Sequence, residues 1–259
     1  MIADVTSAPL APTRRYAGTV IAVLVALLAT TGFTRSGATD EPSQQSLLMT
    51  TRMPTARTLL IQFERIGYSN EFGGAQRRGR IVKWVAPIRV EIRGARAKKH
   101  RAAVLAMLRQ LRRLSGLNIR PIRWYDFSSA NLVIEFVAGN DGTRKPKAAD
   151  CITYITYDHA RFVITAAHVI IGRTPRHCIV EELTQALGLG DDSRLIYPSV
   201  FNDASVPQGL FPWDEIMVQV LYESRLYPGI RRAAARPIVR AAIARFRARA
   251  IARMRAARR

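Results

Sequence analysis

The residues best placed to do chemistry lie in one short stretch, Glu181 to Asp191. Glu181 and Gln185 stand four apart, so on a helix they share one face a turn apart. Glu182 follows the first of them, and Gly188 comes seven residues after Glu181. Asp191 follows three residues later. This is the spacing of a metal-hydrolytic helix. Two side chains at i and i+4 hold an ion, and a carboxylate at i+1 takes a proton from the ion's water. A glycine then reverses the chain through positive φ and returns a third ligand. The candidate assignments are Glu182 as general base and Glu181, Gln185 and Asp191 in the ligand positions. All three ligand positions offer oxygen. Zinc favours histidine nitrogen and cysteine sulfur, whereas calcium takes oxygen.

The stretch Cys178 to Asp192 (CIVEELTQALGLGDD) is followed by Ser199-Val200-Phe201-Asn202-Asp203, by Trp213-Asp214-Glu215 and by Arg225-Leu226-Tyr227-Pro228-Gly229. Together these resemble an uncharacterised family of secreted proteobacterial proteins, a domain of unknown function similar to the matrixin-type metzincins. The resemblance covers roughly residues 80 to 230. It implies a zincin-like α+β fold, with Phe201 where a metzincin has the methionine of its Met-turn, beneath the metal. It also shows what has changed. Both helix histidines are replaced, by Glu181 and Gln185, and the Met-turn methionine by Phe201. Glu182, the turn glycine Gly188 and a carboxylate at 191 remain. The reading is of a pseudo-enzyme that holds no cofactor, with zinc and calcium as the open alternatives. By the resemblance, Glu181, Gln185 and Asp191 meet at one cleft. His177 shares their face but sits a turn too early for that geometry, and reads as a first-turn histidine.

Several elements must position these residues. Ile88, Val90 and Ile92 alternate with charged residues, which predicts a half-buried strand. From Ala97 to Leu114, Val104, Met107, Leu108, Leu111 and Leu114 recur at helical spacing behind a basic outer face. Residues 131–137, 151–157 and 161–171 read as strands, and Asn140-Asp141-Gly142 as a turn. Thr174-Pro175 opens a helix that runs to Gly188, and a further helix starts near Trp213 and ends near Glu223. That order predicts an α+β domain, one mixed sheet carrying a long helix and the motif helix.

The ends of the chain differ in character. Arg14-Arg15 precede an apolar run, Ala17 to Phe33, which reads as an export signal or short membrane anchor, with Ser36-Gly37-Ala38 as a cleavage site. The division expected is signal or anchor at 1–38, linker and weakly structured entry at 39–79, with Arg57 to Ile66 as a weak start of the folded part, zincin-like domain at 80–230 and an Arg-rich helical tail at 231–259. Export places the chain in the periplasm, or anchored to the inner membrane and facing it. In that setting the pair Cys151 and Cys178 is expected to form a disulfide.

The net charge is +21 and uneven. Residues 231–259 hold eleven Arg and no acid, while Glu181 to Glu223 carries eight acids against Arg194 alone. The tail, with Val239, Ile243, Phe246, Ala250 and Met254 in a stripe, reads equally as an interfacial membrane helix or as a helix packed on the domain. An anionic membrane surface or envelope polyanion is therefore the expected partner, with no nucleic acid expected after export. The tail and the acidic stretch are expected to face apart. The functional reading is an exported envelope protein with a non-catalytic binding or structural role. The alternatives are a divergent hydrolase using Glu182, or a membrane-surface protein acting through the tail.

Overall fold

Strands that alternate along one half of the chain close into a single mixed sheet. The computed structural model describes residues 52–68, 79–122, 130–137, 151–172 and 175–257. Its elements in chain order are α1 (Ala56–Ile66), β1 (Ile88–Gly94), α2 (Ala97–Ser115), β2 (Ile119–Pro121), β3 (Leu132–Phe136), β4 (Cys151–Asp158), β5 (Val163–Ile171), α3 (Pro175–Gln185), α4 (Pro212–Leu221) and α5 (Arg232–Ala256). The fold is α+β, as the element order predicted. The apolar run 17–33, the turn at 140–142 and the Thr174 cap lie outside the described residues. Among the described residues no helix is long and apolar enough to cross a membrane.

The sheet order is β2-β1-β3-β5-β4. The first four of these strands are parallel and β4 runs antiparallel to β5. Parallel neighbours need a crossover, and α2 supplies the one between β1 and β2. The β4–β5 hairpin closes tightly because Asp158 Oδ1 accepts the N–H groups of Ala160 and Arg161. Alternation then sorts the two faces. Ile88 and Val90, Leu132, Ile134 and Phe136, and Ala167, Val169 and Ile171 turn into the core beneath α2 and α3. Arg93, Glu135, His168 and Tyr154 lie on the opposite, open face.

Helix α2 buries Val104, Met107, Leu108 and Leu111 of the stripe its spacing predicted, with Leu114 half-buried against the core. Helix α3 is different, since every residue from Cys178 to Leu189 except Glu181 is buried. It is the central helix, enclosed on nearly all sides, so its sequence has little amphipathic pattern.

The folded unit extends beyond 80–230 in both directions. Helix α1 buries Leu59, Leu60, Phe63 and Ile66, and α5 buries Ala235, Val239, Ala242, Ile243 and Ala250 in the same core. Helix α1 falls where the sequence offered a weak start of the folded part, at Arg57 to Ile66. The tail stripe packs on the domain, with Phe246 and Met254 against its margin. The expectation that tail and acidic stretch face apart fails at two of its acids, Glu215 and Glu223. Arg253 pairs with Glu215 at 3.1 Å and Arg245 pairs with Glu223, so these two acids face α5.

The segment before β1 is threaded rather than laid in the sheet. Ile81 bonds the backbone of Gly229 and Ile230, while Lys83 exchanges backbone bonds with Phe162 and Ile164. It therefore staples the start of β5 to the chain entering α5.

Candidate functional site

Helix α3 is pinned to the edge of the sheet before any site chemistry is considered. Cys151, the first residue of β4, is bonded to Cys178, with a Cα–Cα distance of 5.8 Å. The pair expected to form a disulfide does so. Two residues along β4, the Thr153 hydroxyl donates to the Glu182 carbonyl at 3.1 Å.

The end of α3 is tightened and covered. Leu187 and Gly188 N–H groups donate to Thr184 and Gln185 carbonyls three residues back, so regular helix stops at Gln185 rather than at Gly188. The Trp84 indole N–H donates to the Ala186 carbonyl at 2.9 Å, and the Tyr222 hydroxyl to the Leu187 carbonyl at 2.8 Å. Gly188 has φ +115, and a Cβ there would stand 2.4 Å from the Val82 carbonyl oxygen. The glycine is required twice over, by its conformation and by the backbone that crosses it.

Each sequence-singled side chain has a definite place. Glu181 Oε2 lies 2.8 Å from His177 Nε2, a pair one turn apart on α3. Glu182 is buried. The Gln185 amide N–H donates to Asp192 Oδ1 at 3.2 Å. Asp191, whose carboxylate was the expected third arm, accepts the N–H of Asp192 at 3.0 Å. The chain does return to the helix after Gly188, but the carboxylate that meets Gln185 belongs to Asp192. Phe201 is fully buried, and its carbonyl accepts the Ser193 N–H at 2.6 Å, directly after the two aspartates. Gln185, the returning aspartates and the Phe201 loop are therefore neighbours, while Glu181 is turned to His177.

Beneath this loop lies a buried carboxylate that sequence reasoning did not single out. Asp214 accepts the Ser199 hydroxyl at 2.7 Å and the N–H groups of Val200 at 3.3 Å and Phe211 at 3.0 Å. It stands in the first turn of α4 and reaches back to the residue before the helix, half of a capping box. Burial pushes its carboxyl up to about 7, against three donors that favour the anion. The available signal was an acid just after Pro212 at a helix start, which the sequence does show. Lys83 was also missed. It is buried, its ammonium donates to the Leu221 carbonyl at 3.0 Å, and burial lowers it to about 8. It caps the C-terminal end of α4, where a cation is favoured.

The donor set decides which metal could be held. Among the described residues, no three His, Cys, Asp or Glu side chains gather to hold an ion. Zinc would have Glu181, Gln185 and a returning aspartate, all oxygen donors and all three bonded within the protein. These residues do not fit zinc. They also fall short of the six or more oxygens, roughly, that calcium takes.

A separate groove of about 260 Å³ lies on the open face of the sheet, lined by Asn131, Val133, Tyr154, Thr156 and His168. Along it, Glu135 Oε2 accepts from Arg93 at 2.8 Å and lies 2.9 Å from His168 Nε2. The Arg93 hydrogen bond holds the Glu135 carboxyl below its ordinary range. This groove is on the far side of the sheet from α3.

The molecule is thus an α+β domain with one mixed sheet and a disulfide-pinned central helix. The chain belongs to the family described as "Protein of unknown function (DUF2927)", which matches residues 56–241. That span includes α1 and the first part of α5, in keeping with their share of the core. Neither the curated proteins nor the solved structures yield a match.

Proposed function

We propose that this chain is a zincin-like domain that has given up metal-assisted hydrolysis, an exported protein with a binding or structural role at the cell envelope. One observation carries the reading. The two helix positions that would hold zinc are turned to internal partners, Glu181 to His177 and Gln185 to Asp192. The rest of the path supports it: a Gly188 that reverses the chain, an aspartate pair that returns, and a Ser199–Phe201 loop braced beneath. Without a metal-bound water, Glu182 has no activated nucleophile to serve.

The test is metal analysis of the purified full chain together with peptide hydrolysis. The expected result is no stoichiometric zinc and no hydrolysis above that of Glu182→Ala. Stoichiometric zinc, with activity lost in Glu182→Ala, would instead make the chain a divergent hydrolase. A second arm tests the architecture. Glu181→His with Gln185→His, combined with either Asp191→His or Asp192→His, is expected to raise zinc affinity. The aspartate position that gives the larger gain identifies the returning ligand. No gain in either combination overturns the zincin reading. A reporter fusion after residue 40, active only outside the cytoplasm, tests export.

A further inference from the structure

Two helices on this molecule carry cations without acids. Helix α2, AKKHRAAVLAMLRQLRRLS, has six Lys/Arg and no Asp or Glu, and all six are exposed. None of them has an ion-pair partner among the described residues. Helix α5 has eight Arg and no acid. Four of these, Arg232, Arg236, Arg245 and Arg253, are paired to Glu64, Glu223 or Glu215. Arg249 is exposed, with no acidic partner among the described residues.

The fold draws these helices together over α4. The Gln110 amide of α2 donates to Glu215 Oε1 at 3.0 Å, and Arg253 of α5 donates to Glu215 Oε2 at 3.1 Å. One carboxylate therefore ties the middle of α2 to the last turns of α5. Arg109 and Arg113 flank Gln110 at one and three residues, and Arg249 precedes Arg253 by one turn. By helical rise, α2 and α5 extend for about 28 and 37 Å. The exposed cations are spread along two helices that meet at Glu215, rather than gathered at a point. Neither helix exposes a large apolar side chain, because the α5 stripe is committed to the core. A surface of this kind attracts anions without inserting between them.

We infer that α2 and α5 together form an electrostatic docking platform for an anionic lipid surface, centred where Gln110 and Arg253 meet at Glu215. The choice of lipid rests on the envelope location proposed above, read from the apolar run at 17–33. It also rests on chemistry. The platform offers many Lys/Arg and no exposed aromatic side chain on which a base could stack. The platform is composite, so no detached tail is needed.

The experiment measures partitioning of the full chain into vesicles of phosphatidylcholine alone and of phosphatidylcholine with an equal part of phosphatidylglycerol. The ratio of the two isolates the electrostatic part, since the N-terminal apolar run is present with both. The wild type is expected to prefer the anionic vesicles, and the preference to fall as salt is raised. Arg109→Gln, Arg113→Gln and Arg249→Gln should each lower the ratio about fivefold, and the triple variant about a hundredfold, at roughly 1 kcal/mol per basic residue. Circular dichroism checks that the variants remain folded. A ratio near one for the wild type, or an unchanged ratio in the triple variant, overturns the inference. Tighter binding to duplex DNA than to anionic vesicles at equal salt, lost in the triple variant, overturns it in favour of nucleic acid. Zinc found at Glu181 and Gln185 would leave this ratio untouched, so the two proposals fail separately.

Discussion

Asp214 and Gly188 show how single residues set this fold. Asp214 is fully buried and gathers three donors from two segments, the Ser199–Val200 loop and the entry to α4. Asp214→Ala strands a hydroxyl and two N–H groups in the interior and is expected to cost about 2–4 kcal/mol, read from urea unfolding. Its titration has a definite sign. The folded carboxyl binds its proton up to about 7, above the ordinary 3.8. Its contribution is therefore fully present below about 4 and lost as the pH rises through about 7. Against Asp214→Asn, which does not titrate, the wild type should lose stability across that window and then level off. A difference that grows with falling pH in the wild type's disfavour would show the anion to be the buried form. Gly188→Ala forces a Cβ to within 2.4 Å of the Val82 carbonyl at φ +115. We expect a loss of about 2 kcal/mol or more, with the Trp84 and Tyr222 contacts to the turn disturbed. Tryptophan fluorescence would report the second effect.

At the scale of elements, the Cys151–Cys178 bridge joins the edge strand to the central helix across 27 residues. By loop closure it contributes about 3.5 kcal/mol. Cys151→Ala with Cys178→Ala should lower the melting temperature accordingly, and reductant should do the same to the wild type. If reduction left the melting curve in place, the bridge would be no part of the fold's stability. The elements differ in how plainly the sequence displays them. The period of two in β1 and β3 and the three-four spacing in α2 are legible because each has one buried face and one wet one. Helix α3 is buried nearly all round, so only the spacing of Glu181, Gln185 and Gly188 marks it. The stripe on α5 is legible, but a stripe does not say whether lipid or protein will cover it. The entry segment 79–84 has no period at all, since its partners are single residues near 162 and 230. At the site, the motif spacing pointed to Asp191, but the path after Gly190 brings Asp192 to Gln185 instead.

At the scale of the whole molecule, the charge asymmetry and the core turn out to be one design. Two of the acids between Glu181 and Glu223, Glu215 and Glu223, face the arginine helix that follows them and pair with it. Helix α5 is attached through apolar contact first: Ala235, Val239, Ala242, Ile243 and Ala250 are buried against α1 and α4. Fully burying a side chain such as Val239 or Ile243 is worth about 1.5–3 kcal/mol, whereas an exposed ion pair contributes about 1 kcal/mol or less. Two such side chains already approach the lower end of the 5–15 kcal/mol that typically holds a domain together. Deletion of residues 231–259 is therefore expected to unfold the chain, seen as loss of the cooperative melt and rapid proteolysis. Glu215→Gln with Glu223→Gln should shift the melt only slightly. The opposite order, a stable truncated chain and a badly destabilised double variant, would mean that charge rather than the buried stripe holds α5. The same contrast governs any binding measurement. Loss of vesicle binding on deletion would report an unfolded protein, while loss in Arg109, Arg113 and Arg249 variants that still melt cooperatively would report the surface itself.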